Sequence, residues 1–121
     1  MSLKSPSELV AEAKAAVARC TPAEAAEILR RTPDVLLLDV REPEEHARGS
    51  VPGAVLLPRG VLEMRIGQIC DDPDRPILVH CAAGGRAALA ARTLKEMGYR
   101  NVRCVDGPFE ELARACGPGA S

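Results

Sequence analysis

The chain has 121 residues, of which 46% are apolar, and its 16 basic and 17 acidic side chains give a net charge of −1. This is enough apolar material for one domain with its own core, and the balanced charge argues against nucleic acid or an anionic membrane surface as a partner. No segment approaches the roughly 20 apolar residues that a membrane helix needs, so we expect a soluble protein.

The five cysteines fit neither a disulfide framework nor a zinc site. Their number is odd, and no C-x-x-C pair is present. The sequence therefore favours a reducing compartment, which we expect to be the cytoplasm, and it indicates neither a metal nor a cofactor.

Two copies of one helix-start signal open the chain. Ser5-Pro6-Ser7-Glu8 and Thr21-Pro22-Ala23-Glu24 each place an oxygen-bearing side chain at the N-cap, proline at the first helical position and glutamate at the third. The first predicted helix runs to about Arg19 and the second to about Arg31. Residues 1–20 are interpreted as an N-terminal helical extension.

Strands and helices are predicted to alternate along the rest of the chain. Short apolar runs predict strands at 35–38, 54–57, 77–79 and 102–106, and helical spacing or capping predicts helices at 43–48, 61–69, 87–97 and 109–116. In the third of these helices we expect a buried Met97, followed by Gly98 as a left-handed cap. Such alternation indicates an α/β fold with a parallel sheet and helices on both faces.

One turn between a strand and a helix concentrates reactive chemistry. After the strand at 77–79 come Cys81, Ala82, Ala83, Gly84, Gly85 and Arg86. Two glycines let the backbone curl tightly, so that successive N–H groups point at the cysteine sulfur beside the positive end of the helix dipole. This arrangement favours a thiolate and binds anions, so we predict that Cys81 is a nucleophile.

Other polar residues lie where the same end of the sheet is expected. Asp39 and Arg41 follow the first predicted strand, where open α/β sheets place ligands, and we interpret them as residues that fix neighbouring loops through hydrogen bonds. Arg59 follows another strand end, and a solvated position is favoured over a role at the site. His80 precedes the cysteine, and packing within its strand is favoured over action as a base. Arg86 either grips an anion bidentately or braces the loop, and both interpretations stay open.

The remaining candidates are interpreted as structural. His46 is expected at the surface, and Glu44 and Glu45 on a solvated face. The cysteines other than Cys81 are expected to be small packing residues, although Cys70 could also be an exposed resolving thiol.

Several separate motifs together resemble the rhodanese domain. The segments 38–43, 49–54 and 58–60 look like its opening half, the segment 80–86 resembles its active-site loop, and the segment 94–102 resembles the stretch beyond that loop. The resemblance covers about 21–117, which we take as the domain, with 118–121 as a tail. It implies a three-layer fold with a central, mainly parallel sheet of about five strands.

The resemblance also implies a sulfurtransferase in which Cys81 carries a sulfane sulfur as a persulfide. The implied partners are a small donor such as thiosulfate or a persulfide, and a thiophilic acceptor such as cyanide or a thiol; the oligomeric state stays open. An alternative is a sulfur carrier that exchanges sulfur with partner proteins. Cysteine phosphatases and arsenate reductases of similar fold have five residues between cysteine and arginine, whereas four intervene here, so this second alternative is disfavoured.

Overall fold

The computed structural model describes residues 2–117, which form six helices and five strands around one sheet. The strands are β1 (Ala18–Cys20), β2 (Leu36–Asp39), β3 (Val55–Leu56), β4 (Ile77–His80) and β5 (Val102–Val105). The helices are α1 (Pro6–Ala16), α2 (Pro22–Arg31), α3 (Pro43–Arg48), α4 (Leu62–Ile69), α5 (Gly85–Met97) and α6 (Phe109–Cys116), with a 3₁₀ turn at Arg59–Val61.

The sheet is parallel throughout and has the strand order β1-β5-β4-β2-β3. Its three central strands are short and largely buried on both faces, as expected for parallel strands that are covered by helices. One core layer packs α1, α4 and α5 on one face, and a second packs α2 and α6 on the other. The predicted α/β fold with helices on both faces is confirmed.

Local capping chemistry explains where the first helices begin. Ser5 accepts a hydrogen bond from the Glu8 backbone N–H while the Glu8 carboxylate accepts one from the Ser5 N–H, and the same reciprocal pair starts α2. At the other end of α5, Gly98 takes φ +109°, the predicted left-handed cap.

Two predictions about these elements are wrong. The first helix ends at Ala16 and not near Arg19, because residues 18–20 form β1 and pair with β5. Met97 is 47% exposed rather than buried, since it lies in the last, outward-facing turn of α5. The division into an extension at 1–20 and a domain at 21–117 stays a prediction, and the tail at 118–121 lies outside the described residues.

The strand register brings the sequence candidates to one edge. β2 and β4 are neighbours with Asp39 opposite His80, and the Val40 N–H donates to the His80 carbonyl. Arg41 and Cys81 therefore leave adjacent strands at the carboxyl end of the sheet, the edge at which open α/β sheets bind ligands.

Candidate active site

Cys81 begins the loop between β4 and α5, and its sulfur lies at the start of that helix. The side chain is 2% exposed. Its Sγ accepts hydrogen bonds from the Gly84 N–H at 3.0 Å and from the Ala87 N–H at 3.3 Å. Two fixed donors and the helix N-terminus all stabilise negative charge on this sulfur. The structure thus produces the N–H arrangement that the glycine spacing predicts.

Gly84 gives the loop its tight curl. Its φ is +116°, which side-chain-bearing residues rarely adopt, and a Cβ there would lie 3.0 Å from Asp106 Oδ1. The loop is also tied to the strand and helix that come after it. The Phe109 N–H donates to the Ala82 carbonyl at 2.9 Å, and Cys104 Sγ lies 3.8 Å from the Gly84 carbonyl oxygen.

Arg86 is joined to the acidic helix α3. Its Nη1 and Nη2 donate to the two Glu45 carboxylate oxygens at 2.6 and 2.9 Å. The hydrogen bonds from the Arg86 side chain, together with a smaller contribution from the Glu42 backbone N–H, lower the pKa of Glu45 to about 2. The prediction that Glu45 belongs to a solvated face is therefore wrong. Of the two interpretations of Arg86, this geometry favours bracing of the loop.

Asp39 is fully buried and organises the neighbouring loop. It accepts hydrogen bonds from the Arg41 backbone N–H, Nε and Nη2 at 3.1, 2.9 and 2.8 Å, and His46 Nδ1 lies 2.8 Å from its Oδ2. Burial raises the pKa of this carboxyl, but the hydrogen bonds from Arg41 and His46 outweigh it and lower the pKa to about 2. Arg41 Nη2 also donates to the Gly49 carbonyl at 2.7 Å. The loop-fixing contacts expected of Asp39 and Arg41 are present.

His46 was expected at the surface, and that prediction is wrong. Its side chain is 27% exposed and reaches Asp39 across the turn that follows β2. No local sequence signal predicts the contact of His46 with Asp39 or that of Glu45 with Arg86, because both contacts form when α3 packs against the sheet edge.

An aromatic stack backs the loop from α6. The Phe109 ring covers the Arg41 guanidinium at 4.1 Å and stacks on the His80 ring at 5.9 Å between centroids. His80 is 1% exposed, and burial lowers its pKa below the usual value. Within residues 2–117, neither of its ring nitrogens has a hydrogen-bond partner. This environment suits the predicted packing role of His80.

Arg59 forms its hydrogen bonds away from the cysteine loop. Its Nη1 donates to Glu63 at 3.0 Å and its Nη2 to Thr93 at 3.1 Å, so it ties the 3₁₀ turn to α4 and α5. The side chain is partly covered rather than fully solvated.

The other four cysteines are free and serve packing. Cys20, Cys70 and Cys104 are buried, and Cys116 is half-buried. Burial raises the pKa of Cys20 to about 11 and that of Cys104 to about 12. Because Cys70 is only 5% exposed, the alternative of an exposed resolving thiol is wrong.

The described residues offer neither a metal cluster nor a membrane-spanning helix. Residues 2–117 contain no group of three or more His, Cys, Asp or Glu side chains placed to hold a metal ion. The same residues include no helix that is long and apolar enough to span a membrane.

A buried thiol that accepts two backbone N–H bonds, at the end of a parallel strand and the start of a helix, defines a cysteine-loop site of an α/β protein. The family model of the rhodanese-like domain matches residues 21–115. The chain therefore belongs to the rhodanese-like family of sulfurtransferases and sulfur carriers.

Two curated relatives carry names from sulfur chemistry. A "Sulfurtransferase" of Allochromatium vinosum is 36% identical over 86 residues, which span 71% of this chain and 78% of that protein. The "Putative sulfur carrier protein YrkF" of Bacillus subtilis is 38% identical over 66 residues, 54% of this chain but only 35% of the relative.

Two solved structures have closely similar folds. The polysulfide-sulfur transferase homodimer of Wolinella succinogenes is 32% identical with a TM-score of 0.76, and the match covers 88% of this chain and 80% of that one. A Rhodopseudomonas palustris protein of unknown function, described as a "Possible Tyrosine Phosphatase", is 31% identical with a TM-score of 0.83, covering 98% and 96%.

Proposed function

We propose that this protein is a sulfurtransferase that carries a sulfane sulfur on Cys81. The observation that supports it most directly is the pair of hydrogen bonds from the Gly84 and Ala87 N–H groups to Cys81 Sγ, at 3.0 and 3.3 Å. A thiolate is the attacking form in sulfur exchange, and these two N–H groups are fixed hydrogen-bond donors to the sulfur that attacks. The rhodanese-like family, with a sulfurtransferase among its relatives, supports the same chemistry.

In the loading step the Cys81 thiolate attacks the outer sulfur of the donor. With thiosulfate, a new bond forms between Sγ and that sulfur, the sulfur–sulfur bond of thiosulfate breaks, and its electron pair leaves with sulfite. With a persulfide R–S–SH, the same attack gives Cys81–S–SH and the thiolate RS⁻. No external oxidant or reductant is needed in either case.

In the unloading step the terminal sulfur of the persulfide is passed on. Cyanide attacks that sulfur to give thiocyanate, or a thiol attacks it to give a new persulfide, and Cys81 leaves as thiolate. The N–H groups of the loop from Ala82 to Arg86 provide fixed donors for the terminal negative charge between the two steps, by the logic of an oxyanion hole. The expected kinetics are ping-pong.

The residues around the loop have supporting roles in this proposal. Asp39 and Arg41 hold the neighbouring loop, Arg86 braces α3 against the cysteine loop through Glu45, and Arg59 anchors the 3₁₀ turn. No step requires a metal or an organic cofactor. The free cysteines support a reducing compartment, the cytoplasm, as the working environment.

A sulfur carrier in a protein relay is the second candidate. Apart from Arg86, whose guanidinium is bonded to Glu45, the loop presents the methyl groups of Ala82 and Ala83, which offer a small anion such as thiosulfate no charge. The Bacillus relative whose name mentions a sulfur carrier favours the same alternative. A carrier would take sulfur from a protein persulfide and show little turnover with small donors.

Phosphatase activity is the third candidate, suggested by the description of the Rhodopseudomonas protein. Only four residues separate Cys81 from Arg86, and this smaller ring has less room for a tetrahedral phosphate than for one sulfur atom. We therefore expect no hydrolysis of p-nitrophenyl phosphate above that of the Cys81→Ala variant. Cysteine-dependent hydrolysis would favour the phosphatase.

The deciding experiment is intact-protein mass spectrometry of reduced protein mixed with thiosulfate, and separately with a protein persulfide. We expect wild type to gain one sulfur atom and Cys81→Ala to gain none. The matched control is Cys116→Ala, which removes a half-buried thiol far from the loop in sequence and should still gain sulfur. Uptake from the protein donor alone favours the carrier. No uptake from either donor, or uptake by Cys81→Ala, overturns the proposal.

A further inference from the structure

A cavity of about 290 Å³ opens beside the cysteine loop, between α3, α6 and Ala82. We propose that it binds the carboxylate of a small organic persulfide donor through Arg41 and Arg48, an assignment that rests on the sulfurtransferase function proposed above. We call this space the side cavity. It lies at the carboxyl edge of the sheet, where Arg41 and the cysteine loop leave adjacent strands.

The walls of the side cavity are fixed before any ligand arrives. α6 is tied to the loop by the bond from the Phe109 N–H to the Ala82 carbonyl. α3 is tied to the loop by the Arg86–Glu45 pair, and its end is held by the bond from Arg41 to the Gly49 carbonyl. A preformed cavity spares the ordering cost that weakens binding to mobile loops.

Arg41 presents an unused donor to this cavity. Its side chain is 5% exposed, its Nε and Nη2 are bonded to Asp39 and Gly49, and its plane is covered by Phe109. Among residues 2–117, its Nη1 has no hydrogen-bond acceptor, although the side chain lines the cavity. A rigid, largely desolvated guanidinium with a free NH₂ group is well suited to a carboxylate oxygen.

Arg48 supplies the second positive charge. It is the last residue of α3, it is exposed, and within the described part of the chain it forms no ion pair. Arg86, by contrast, already has both Nη atoms on Glu45. Two glutamates also line the cavity: both oxygens of Glu45 accept from Arg86, and Glu110 is exposed to water, as Arg48 is. The donors of the cavity that remain free are those of Arg41 and Arg48, and they suit an anion.

The lining of the cavity indicates where the rest of the donor lies. Phe109 and Ala82 give an apolar surface for a short alkyl chain between the carboxylate and the sulfur atoms. Cys81 then attacks the outer sulfur of R–S–SH, the new sulfur–sulfur bond forms on Sγ, and RS⁻ leaves with the carboxylate still at the arginines. Thiosulfate has no such chain and would gain little from this cavity.

The test compares donors that share a two-carbon chain and carry end groups of different charge. The probes are the hydropersulfides of 3-mercaptopropionate, 2-mercaptoethanol and cysteamine, and the measurement is the second-order rate constant for sulfur gain on Cys81, followed by rapid quench and mass spectrometry. We expect the carboxylate donor to load about tenfold faster than the neutral one, as one charge-assisted hydrogen bond would give. The cationic donor should be the slowest.

The variant Arg48→Glu should reduce the carboxylate-to-neutral rate ratio about tenfold. The matched control Arg65→Glu makes the same charge change on α4, does not line the side cavity, and should keep the wild-type ratio. Arg41→Lys keeps the positive charge but removes the planar set of guanidinium N–H donors, so it should also lower the carboxylate-to-neutral rate ratio. An unchanged ratio in Arg48→Glu, or an equal loss in Arg65→Glu, overturns the inference and leaves the sulfurtransferase proposal standing. No uptake from any donor overturns both.

Discussion

The substitution Asp39→Asn tests whether the buried carboxylate holds the loop beside Cys81. Asp39 is completely buried and accepts three hydrogen bonds from Arg41, with His46 as a further partner. Asparagine keeps one acceptor oxygen but turns an NH₂ group toward these donors and leaves the Arg41 charge without its counterion. Breaking a buried ion pair from one side costs about 3–5 kcal/mol, and the retained oxygen argues for the lower end, about 3 kcal/mol.

The pH dependence of the free energy of unfolding tests the contribution of Asp39 in a second way. The pKa of Asp39 falls from 3.8 to about 2 in the folded protein, which corresponds to about 2 kcal/mol of stability. Because the folded pKa is the lower one, this stability is present above pH 4 and is lost as the pH falls through about 2. The difference in unfolding free energy between wild type and Asp39→Asn should therefore narrow by about 2 kcal/mol between pH 4 and pH 2.

Urea unfolding at pH 7, 4, 3 and 2 measures both quantities. The matched control is Asp74→Asn, which removes the charge from an exposed pair with Arg100 and should change stability little. The reasoning is refuted if Asp39→Asn costs less than about 1 kcal/mol at pH 7, or if its difference from wild type is the same at every pH.

Two further substitutions test the loop itself. Gly84→Ala forces a side chain into φ +116° and brings its Cβ to 3.0 Å from Asp106, so it should lower the free energy of unfolding by about 1–2 kcal/mol and slow sulfur loading. The control Gly67→Ala, in α4, should raise the free energy of unfolding by about 0.5–1 kcal/mol. Thermal unfolding and mass spectrometry measure both effects, and a Gly84→Ala variant with wild-type stability and loading would contradict the strained-loop argument. Glu45→Gln releases Arg86 from its ionic partner and should slow loading from the neutral persulfide, because the pair braces the loop. Glu45 also lines the side cavity, so the loss of its charge should raise the carboxylate-to-neutral ratio. Unchanged loading of the neutral donor would contradict the bracing role of the pair.

The sequence predicted the features that depend on local chemistry. Proline and glutamate after Ser5 and Thr21 specify helix starts through bonds within four residues, and Gly98 marks a helix end by its backbone freedom. The cysteine loop is local in the same sense, since the Gly84 N–H that reaches Cys81 is only three residues away. Such features need no knowledge of the rest of the fold.

Several of the features that the sequence did not predict depend on distant partners. β1 has three residues and exists because β5 pairs with it, so nothing in its own sequence distinguishes it from the end of a helix. Glu45 lies 41 residues from Arg86, and Phe109 lies 68 residues after Arg41. A glutamate in a charged helical turn looks solvated until the fold brings an arginine to it.

This division of local and distant contacts also separates the parts of the proposed site. The sulfur-holding element is a loop of six consecutive residues, so its chemistry can be predicted from the sequence alone. The side cavity is built from the turn after β2, α3, the loop and α6, and the sheet register and the Phe109 contact bring Arg41 to the cysteine loop and α6. Donor preference is thus encoded in tertiary packing, and substitutions at Arg48 should alter it without altering the atom that carries the sulfur.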